Sequence, residues 1–269
     1  MMASPSTAVR LAHSEPTSVD LAGAEKALRD NLVELRETTP LSAFKLGTEE
    51  EGLDFDQIRY LRAVLPQDSE IFIKIGGPCA KADIRQAREV GAVGLVAPMV
   101  ESVYGLRRFI EATEAIFGDN VRRAFNMETV TAYNSLDELL SSPWARKLDF
   151  LNIGRSDLAG SLDEDVDSDR MTTVVCDAIR RSHAAGLQVH VGGTVTVNTL
   201  KPVIEHIDFE GIHTRWLIFD MPGREATEDV VQRGLSFEVQ MLRLLAARFP
   251  SLAADHLRRA DITASRLQG

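Results

Sequence analysis

One unit recurs along the chain. A short segment that is apolar on both faces runs into a turn rich in Gly, Pro or acidic residues, and a segment with helical spacing follows. "LSAFKL" (Leu41–Leu46), "EIFIKI" (Glu70–Ile75), "GLVAPM" (Gly94–Met99), "RAFNME" (Arg123–Glu128), "FLNIG" (Phe150–Gly154) and "LQVHVGG" (Leu187–Gly193) are such segments. Strands without a polar face belong to a parallel sheet covered by helices. "HTRWLIFDM" (His213–Met221) holds at least one more strand, and a seventh is expected near Val203–Phe209. Helices are expected over Thr17–Glu37, Asp56–Val64, Ile84–Val90, up to Phe117, over Met171–Ala185, and twice after Thr227 with Pro250 between them. Ser135 and Glu138 have capping-box spacing ahead of "LDELL".

Seven or eight such units in 269 residues favour a closed TM (β/α)8 barrel with extra C-terminal helices over an open doubly wound sheet. No Gly-rich dinucleotide fingerprint follows the first strand, and no Walker-type phosphate loop is present. The chain divides into a flexible polar lead-in (1–16), the barrel (17–226) and C-terminal helices (227–269). "LSFEVQMLRLLAARF" is apolar on more than one face, so these helices are expected to pack at an oligomer interface.

A formal net charge of -10 argues against a nucleic-acid partner, because phosphate binding needs a basic surface. The two cysteines, Cys79 and Cys176, form no CxxC or His-Cys cluster, so a zinc site of that kind and a disulfide framework are both disfavoured and a cytoplasmic location is expected. No apolar run approaches the ~20 residues of a membrane span, and the opening "MMASPSTAVRLAHSEPTS" lacks the apolar core of a signal peptide.

In a barrel, residues just past the strand ends converge on one mouth. Here they are Lys45 with Glu49, Glu50 and Glu51; Lys74; Glu101; Glu128; Arg155, Ser156 and Asp157; His190; and Arg215 with Asp220. Glu128 and Asp157 end consecutive strands, so their carboxylates should lie close together. Two such groups repel unless a cation joins them. The residues alone leave two readings open: a hard divalent metal, or ordinary ion pairs with Lys74, Arg155 or Arg215.

"VAPMVES", "NMETVTAYNSLDELL" and "LDFLNIGRSDLAGSL" together resemble the HpcH/HpaI aldolase/citrate lyase family, which has a Pro-Met-Val-Glu segment, a strand ending in Glu-Thr, and a Gly-x-x-Asp-Leu-x-x-Ser run. The resemblance covers Phe72–Leu162 well and the remainder loosely. It implies a metal-dependent carbon–carbon lyase in which Glu128 and Asp157 ligate Mg²⁺ or Mn²⁺ and the metal is chelated by a 2-oxo acid such as pyruvate or oxaloacetate. It also implies a homo-oligomer, a trimer or hexamer. Lys74 stands where the family has an Arg that contacts the oxo acid. It supplies a point charge without the guanidinium fork. Ser156, Asp157 and the backbone beside them are expected to bind substrate, Arg215 to take a distal anionic group, and Arg155 an extra one.

One departure is plain. Aldolases of the family carry a His soon after the first strand, and this chain has "GTEEEG" there. Glu49 or Glu51 is the expected base, with a solvated acidic turn as the alternative. Lys45 and Lys74 read as electrostatic groups rather than Schiff-base nucleophiles, because an acidic mouth keeps an amine protonated. Two other functions remain open: a citrate-lyase-like enzyme acting on an acyl-CoA thioester, and a non-catalytic barrel that binds or assembles.

Overall fold

A computed structural model describes residues 20–221 and 223–268; the lead-in at 1–16 lies outside the described residues. Eight strands close into a barrel in sequence order: β1 (Leu41–Gly47), β2 (Ile71–Lys74), β3 (Gly94–Ala97), β4 (Arg122–Met127), β5 (Phe150–Gly154), β6 (Gln188–Gly192), β7 (Gly211–His213) and β8 (Leu217–Asp220). Around them lie α1 (Leu21–Thr38), α2 (Phe55–Val64), α3 (Lys81–Glu89), α4 (Val103–Phe117), the short α5 (Val130–Asn134) and α6 (Leu136–Ser141), α7 (Arg155–Leu162), α8 (Asp169–Ala184), α9 (Val197–His206), α10 (Thr227–Arg248) and α11 (Ala253–Ser265).

β1 to β7 run parallel, but β8 is antiparallel to both of its neighbours, β7 and β1. The cause is the length of the connection. Only Thr214, Arg215 and Trp216 separate β7 from β8, whereas a parallel crossover needs about a dozen residues or more. The chain must therefore turn back on itself. Arg215 stays at the mouth in this turn. Asp220 does not: it pairs with Gly211, the first residue of β7, and its amide bonds to Pro40, ahead of β1. Asp220 thus belongs to the opposite end of the barrel.

The strand expected at Val203–Phe209 is helix up to His206. A Thr196/Thr199 capping box starts α9, and Leu200, Val203 and Ile204 are buried at helical spacing. The Ser135/Glu138 box does not form. α6 begins after Ser135, but that side chain makes no cap hydrogen bond, and a cap of this kind is found instead at Asp54/Gln57.

The main core lies between the barrel and its helices, and a smaller apolar layer (Ala43, Phe72, Val96, Ala124, Phe150, Ile218) fills the barrel floor. α10 packs on α1 and α11 and buries residues on most of its circumference, including Val231, Leu235, Met241, Leu242 and Leu245. Its apolar faces, the reason for expecting an oligomer interface, are covered within the chain. Among the described residues no helix is long and apolar enough to cross a membrane.

Candidate active site

The sequence period that builds each strand also builds the site. Side chains two apart along a strand share a face. Asn126 and Glu128 therefore stand one above the other over the apolar floor, and Asn152 sits beside Asn126 through the β4–β5 register. Asn126 Nδ2 donates to Glu128 Oε2 (2.8 Å), and Asn152 Nδ2 donates to Asn126 Oδ1 (3.0 Å).

The three motifs singled out in the sequence form one hydrogen-bonded unit across the ends of β3, β4 and β5. The Met99 amide donates to Glu128 Oε1 (2.9 Å), the Thr129 hydroxyl to Glu101 Oε1 (2.6 Å), and the Val130 amide to Ser161 Oγ (2.9 Å). Met99 adopts φ 51°, a left-handed conformation that is costly for a non-glycine residue and recurs at ligand sites. Gly154 has its own reason. A Cβ there would lie 2.9 Å from both Cβ and Oε2 of Glu128, so no side chain fits beside that carboxylate.

Glu128 and Asp157 line one cavity of about 120 Å³, together with Lys45, Glu51, Lys74, Ser156 and Arg215. Lys74 Nζ lies 3.9 Å from Glu51 Oε2 and 4.0 Å from Glu128 Oε2, and Lys45 Nζ lies 2.9 Å from Glu51 Oε1. Burial raises the Glu128 pKa above its ordinary value, and the nearby Asp157 adds to this, against the pull of Lys74, Met99 and Asn126. Burial also works against the charge of Lys74, yet Glu51, Glu128, Asp157 and Glu50 hold its ammonium above the usual lysine range. Lys74 is therefore a fixed cation and unsuited to a Schiff base.

Two expected residues do not line the cavity. Glu49 is exposed and lies over Gly76, where a Cβ would come 2.8 Å from its Oε1; it lines an outer groove with Thr48 and Leu53 instead of the cavity. Arg155 is fully buried. Its guanidinium donates to the carbonyls of Gly192 (3.3 Å), Gly193 (3.0 Å) and Thr199, and to Thr199 Oγ1 (3.3 Å). Burial draws its pKa down to about 10. It braces the β6–α9 loop and does not line the cavity. Ser156 stays at the mouth, its Oγ 2.7 Å from Thr194 Oγ1.

Glu51 is at the cavity, but as a poor base. Burial would raise its pKa, and Lys45 and Lys74 outweigh that and lower it. Its contribution to stability is therefore complete above the ordinary value of 4.5 and is lost as pH falls through the lower folded-state value. Thermal melts from about pH 5 to pH 3 are expected to show a shallower acid loss in Glu51→Gln than in the parent.

The donor set fits a hard cation. Glu128 and Asp157 bring carboxylate oxygens to the cavity, the donors that such a cation takes. Glu51 Oε2, Asn152 Oδ1 and His213 Nδ1, from three residues that line the same cavity, are buried without a hydrogen-bond partner. Buried polar atoms left in this state mark a place for a ligand. Among the described residues no group of three or more His, Cys, Asp or Glu could hold a metal, so substrate and water would complete its shell.

Solved structures share this architecture. An HpcH/HpaI aldolase/citrate lyase family protein from Burkholderia cenocepacia superimposes with a TM-score of 0.55 at 16% identity, over 73% of this chain and 84% of that one. A citrate lyase from Burkholderia xenovorans gives 0.58 at 14% identity, over 90% and 93%. An HpcH/HpaI aldolase from Desulfitobacterium hafniense gives 0.54 at 14%, over 66% and 77%. The barrel has the fold of HpcH/HpaI aldolase and citrate lyase structures. No family model and no curated protein matches the sequence.

Asn126, Asn152 and His213 also line the cavity and are not among the residues expected from the sequence. The signal for the first two was present, since each lies two residues before the inward-facing end of its strand. His213 Nε2 is 2.8 Å from His190 Nδ1, and the His190 ring stacks on Phe150 at 4.1 Å. His190 itself is a buried interior residue. Arg266, which also lines the cavity, gave no signal at all: only the path of the C-terminal helices brings it there.

Proposed function

We propose that this chain is a carbon–carbon lyase of the aldolase type, which forms or consumes the enolate of a small pyruvate- or oxaloacetate-like 2-oxo acid with Mg²⁺ or Mn²⁺ held by Glu128 and Asp157. The observation that carries this reading is the pair of carboxylates, from adjacent strand ends, facing one small cavity beside the fixed cation Lys74. A divalent metal in such a site supplies Lewis-acid polarisation of an oxo group. The remaining work falls to the chain's own residues. Lys74 offsets negative charge developing on the enolate oxygen in a partly desolvated setting. Glu51, locked between two lysines, keeps Lys45 and Lys74 in place. Ser156 and the backbone at the start of α7 orient the substrate carboxylate.

Proton transfer in the aldol direction falls to a group other than Glu49 or Glu51. His213 is placed for it: it lines the cavity, its buried Nδ1 has no hydrogen-bond partner, and burial keeps its ring neutral. In the tautomer that donates Nε2–H to His190, its Nδ1 carries a free lone pair. By the measure in which one water needs roughly 10–15 Å³, the cavity holds on the order of ten heavy atoms. That suits a free oxo acid better than the nucleotide of an acyl-CoA.

The test is a panel of 2-oxo acids, with oxaloacetate decarboxylation and aldol cleavage followed in Mg²⁺ or Mn²⁺ and after chelation. Metal-dependent turnover of at least one is expected. Turnover of acyl-CoA thioesters alone would favour the citrate-lyase-like reading, and no metal-dependent turnover of any substrate would sink the proposal.

A further inference from the structure

The cavity has a second end. Arg215, in the turn between β7 and β8, and Arg266, in the 3-10 turn that follows α11, line the same cavity as Glu128 and Asp157. Their neighbours Arg258 and Arg259 are both satisfied by Asp255, at 2.6 and 2.8 Å. Among the described residues, Arg215 and Arg266 have no carboxylate within 4.0 Å. One Arg215 nitrogen donates to the Glu50 carbonyl (2.5 Å), which fixes the guanidinium and leaves its other donors free.

Two acids stand nearby, and neither closes the site. Glu50 is exposed at the rim. Glu238, buried on α10, does not line the cavity: its Oε1 accepts from the Thr214 hydroxyl (2.6 Å) and the Trp216 amide (2.5 Å). Its Oε2 has no partner, and burial raises its pKa. Arg266 is half-buried, and burial and then the charge of Arg215 lower its pKa, with Glu238 opposing. Two like charges facing one small cavity form an arrangement that an anion relieves.

We infer that Arg215 and Arg266 bind a second carboxylate of the substrate, so that the site is built for 2-oxo dicarboxylic acids. This rests on the function proposed above and narrows it. A guanidinium presents paired N–H donors that match a carboxylate. The cavity is small enough for one molecule to reach both Glu128/Asp157 and the arginines.

Calorimetry in Mg²⁺ buffer tests this without requiring turnover. Oxaloacetate and 2-oxoglutarate are compared with 2-oxobutyrate, which lacks the distal charge, for the parent and for Arg215→Gln, Arg266→Gln and Arg266→Lys. Each Gln variant should weaken the dicarboxylates about tenfold or more and leave 2-oxobutyrate within about twofold, and Arg266→Lys should recover part of the loss. Equal weakening of both classes, no weakening, or failure of every dicarboxylate to bind would overturn the inference. So would an Arg266 dependence confined to coenzyme A, since the anion would then be a phosphate. Glutarate separates the two proposals: Arg-dependent glutarate binding without turnover of any 2-oxo acid keeps the anion end and removes the lyase reading.

Discussion

Glu128→Gln should lower metal-dependent turnover of a 2-oxo acid by about 10²–10⁴-fold. A bound cation contributes several kcal/mol to the transition state, each 1.36 kcal/mol is about a factor of ten, and the change removes one of the two carboxylates proposed to hold it. It should also cost some stability. With the Gln carbonyl kept on the Met99 amide, its NH₂ faces the NH₂ of Asn126 and the ammonium of Lys74, so donors meet donors. Asp157→Asn, at a half-exposed position, should lose activity to a similar degree with its melting temperature unchanged. Turnover and thermal melts of both variants check this. Wild-type rates in either would contradict the ligand assignment.

The second large effect is on stability. Arg155→Met should destabilise the fold by about 3–5 kcal/mol, because charge-assisted hydrogen bonds are worth about 1.5–3 kcal/mol each and buried carbonyls left unpaired cost about 1–3 more. The Gly192, Gly193 and Thr199 carbonyls would all lose their donor. Arg155→Lys should recover little, since one ammonium cannot reach a set of acceptors matched to a planar fork. Urea denaturation measures both. A loss below ~1 kcal/mol in Arg155→Met would mean that the loop finds other donors.

The contrast between these two residues shows how far the sequence could be read. Glu128 was legible because a strand has a fixed period: its distance from the inward-facing residues of β4 sets its direction, and the Glu-Thr motif adds to that. Arg155 is one step out of that register: Gly154 is the residue level with Glu128, so Arg155 falls on the opposite face, where it meets backbone carbonyls provided by β6 and α9. Past the strand ends, the period gives no such guidance. The same limit separates Glu51 from Glu49. The triplet identifies a loop, whereas which glutamate turns inward depends on where Lys45 and Lys74 stand. The seventh strand was misplaced for another reason. "PVIEHIDF" is apolar enough for either state, and the capping pair Thr196/Thr199 that decides for helix lies upstream of the stretch being judged. β8 was found, but its direction was not, although the three residues before it hold that information.

The reversal of β8 also bears on how chain length would be measured in the cavity. A βα loop of ordinary length can move to admit ligands of different sizes. The Thr214–Trp216 turn cannot, because it has no slack between two paired strands and is tied to Glu238, to the Glu50 carbonyl and, through the Trp216 indole, to the Glu51 carbonyl (3.2 Å). Arg215 is in effect a fixed post, set opposite the carboxylates of β4 and β5 by the barrel's own geometry. Such an arrangement works as a ruler. It would reject a homologue one methylene too short or too long through misfit at the far end, with a discrimination of roughly 10–200-fold per carbon and no moving lid to enforce it.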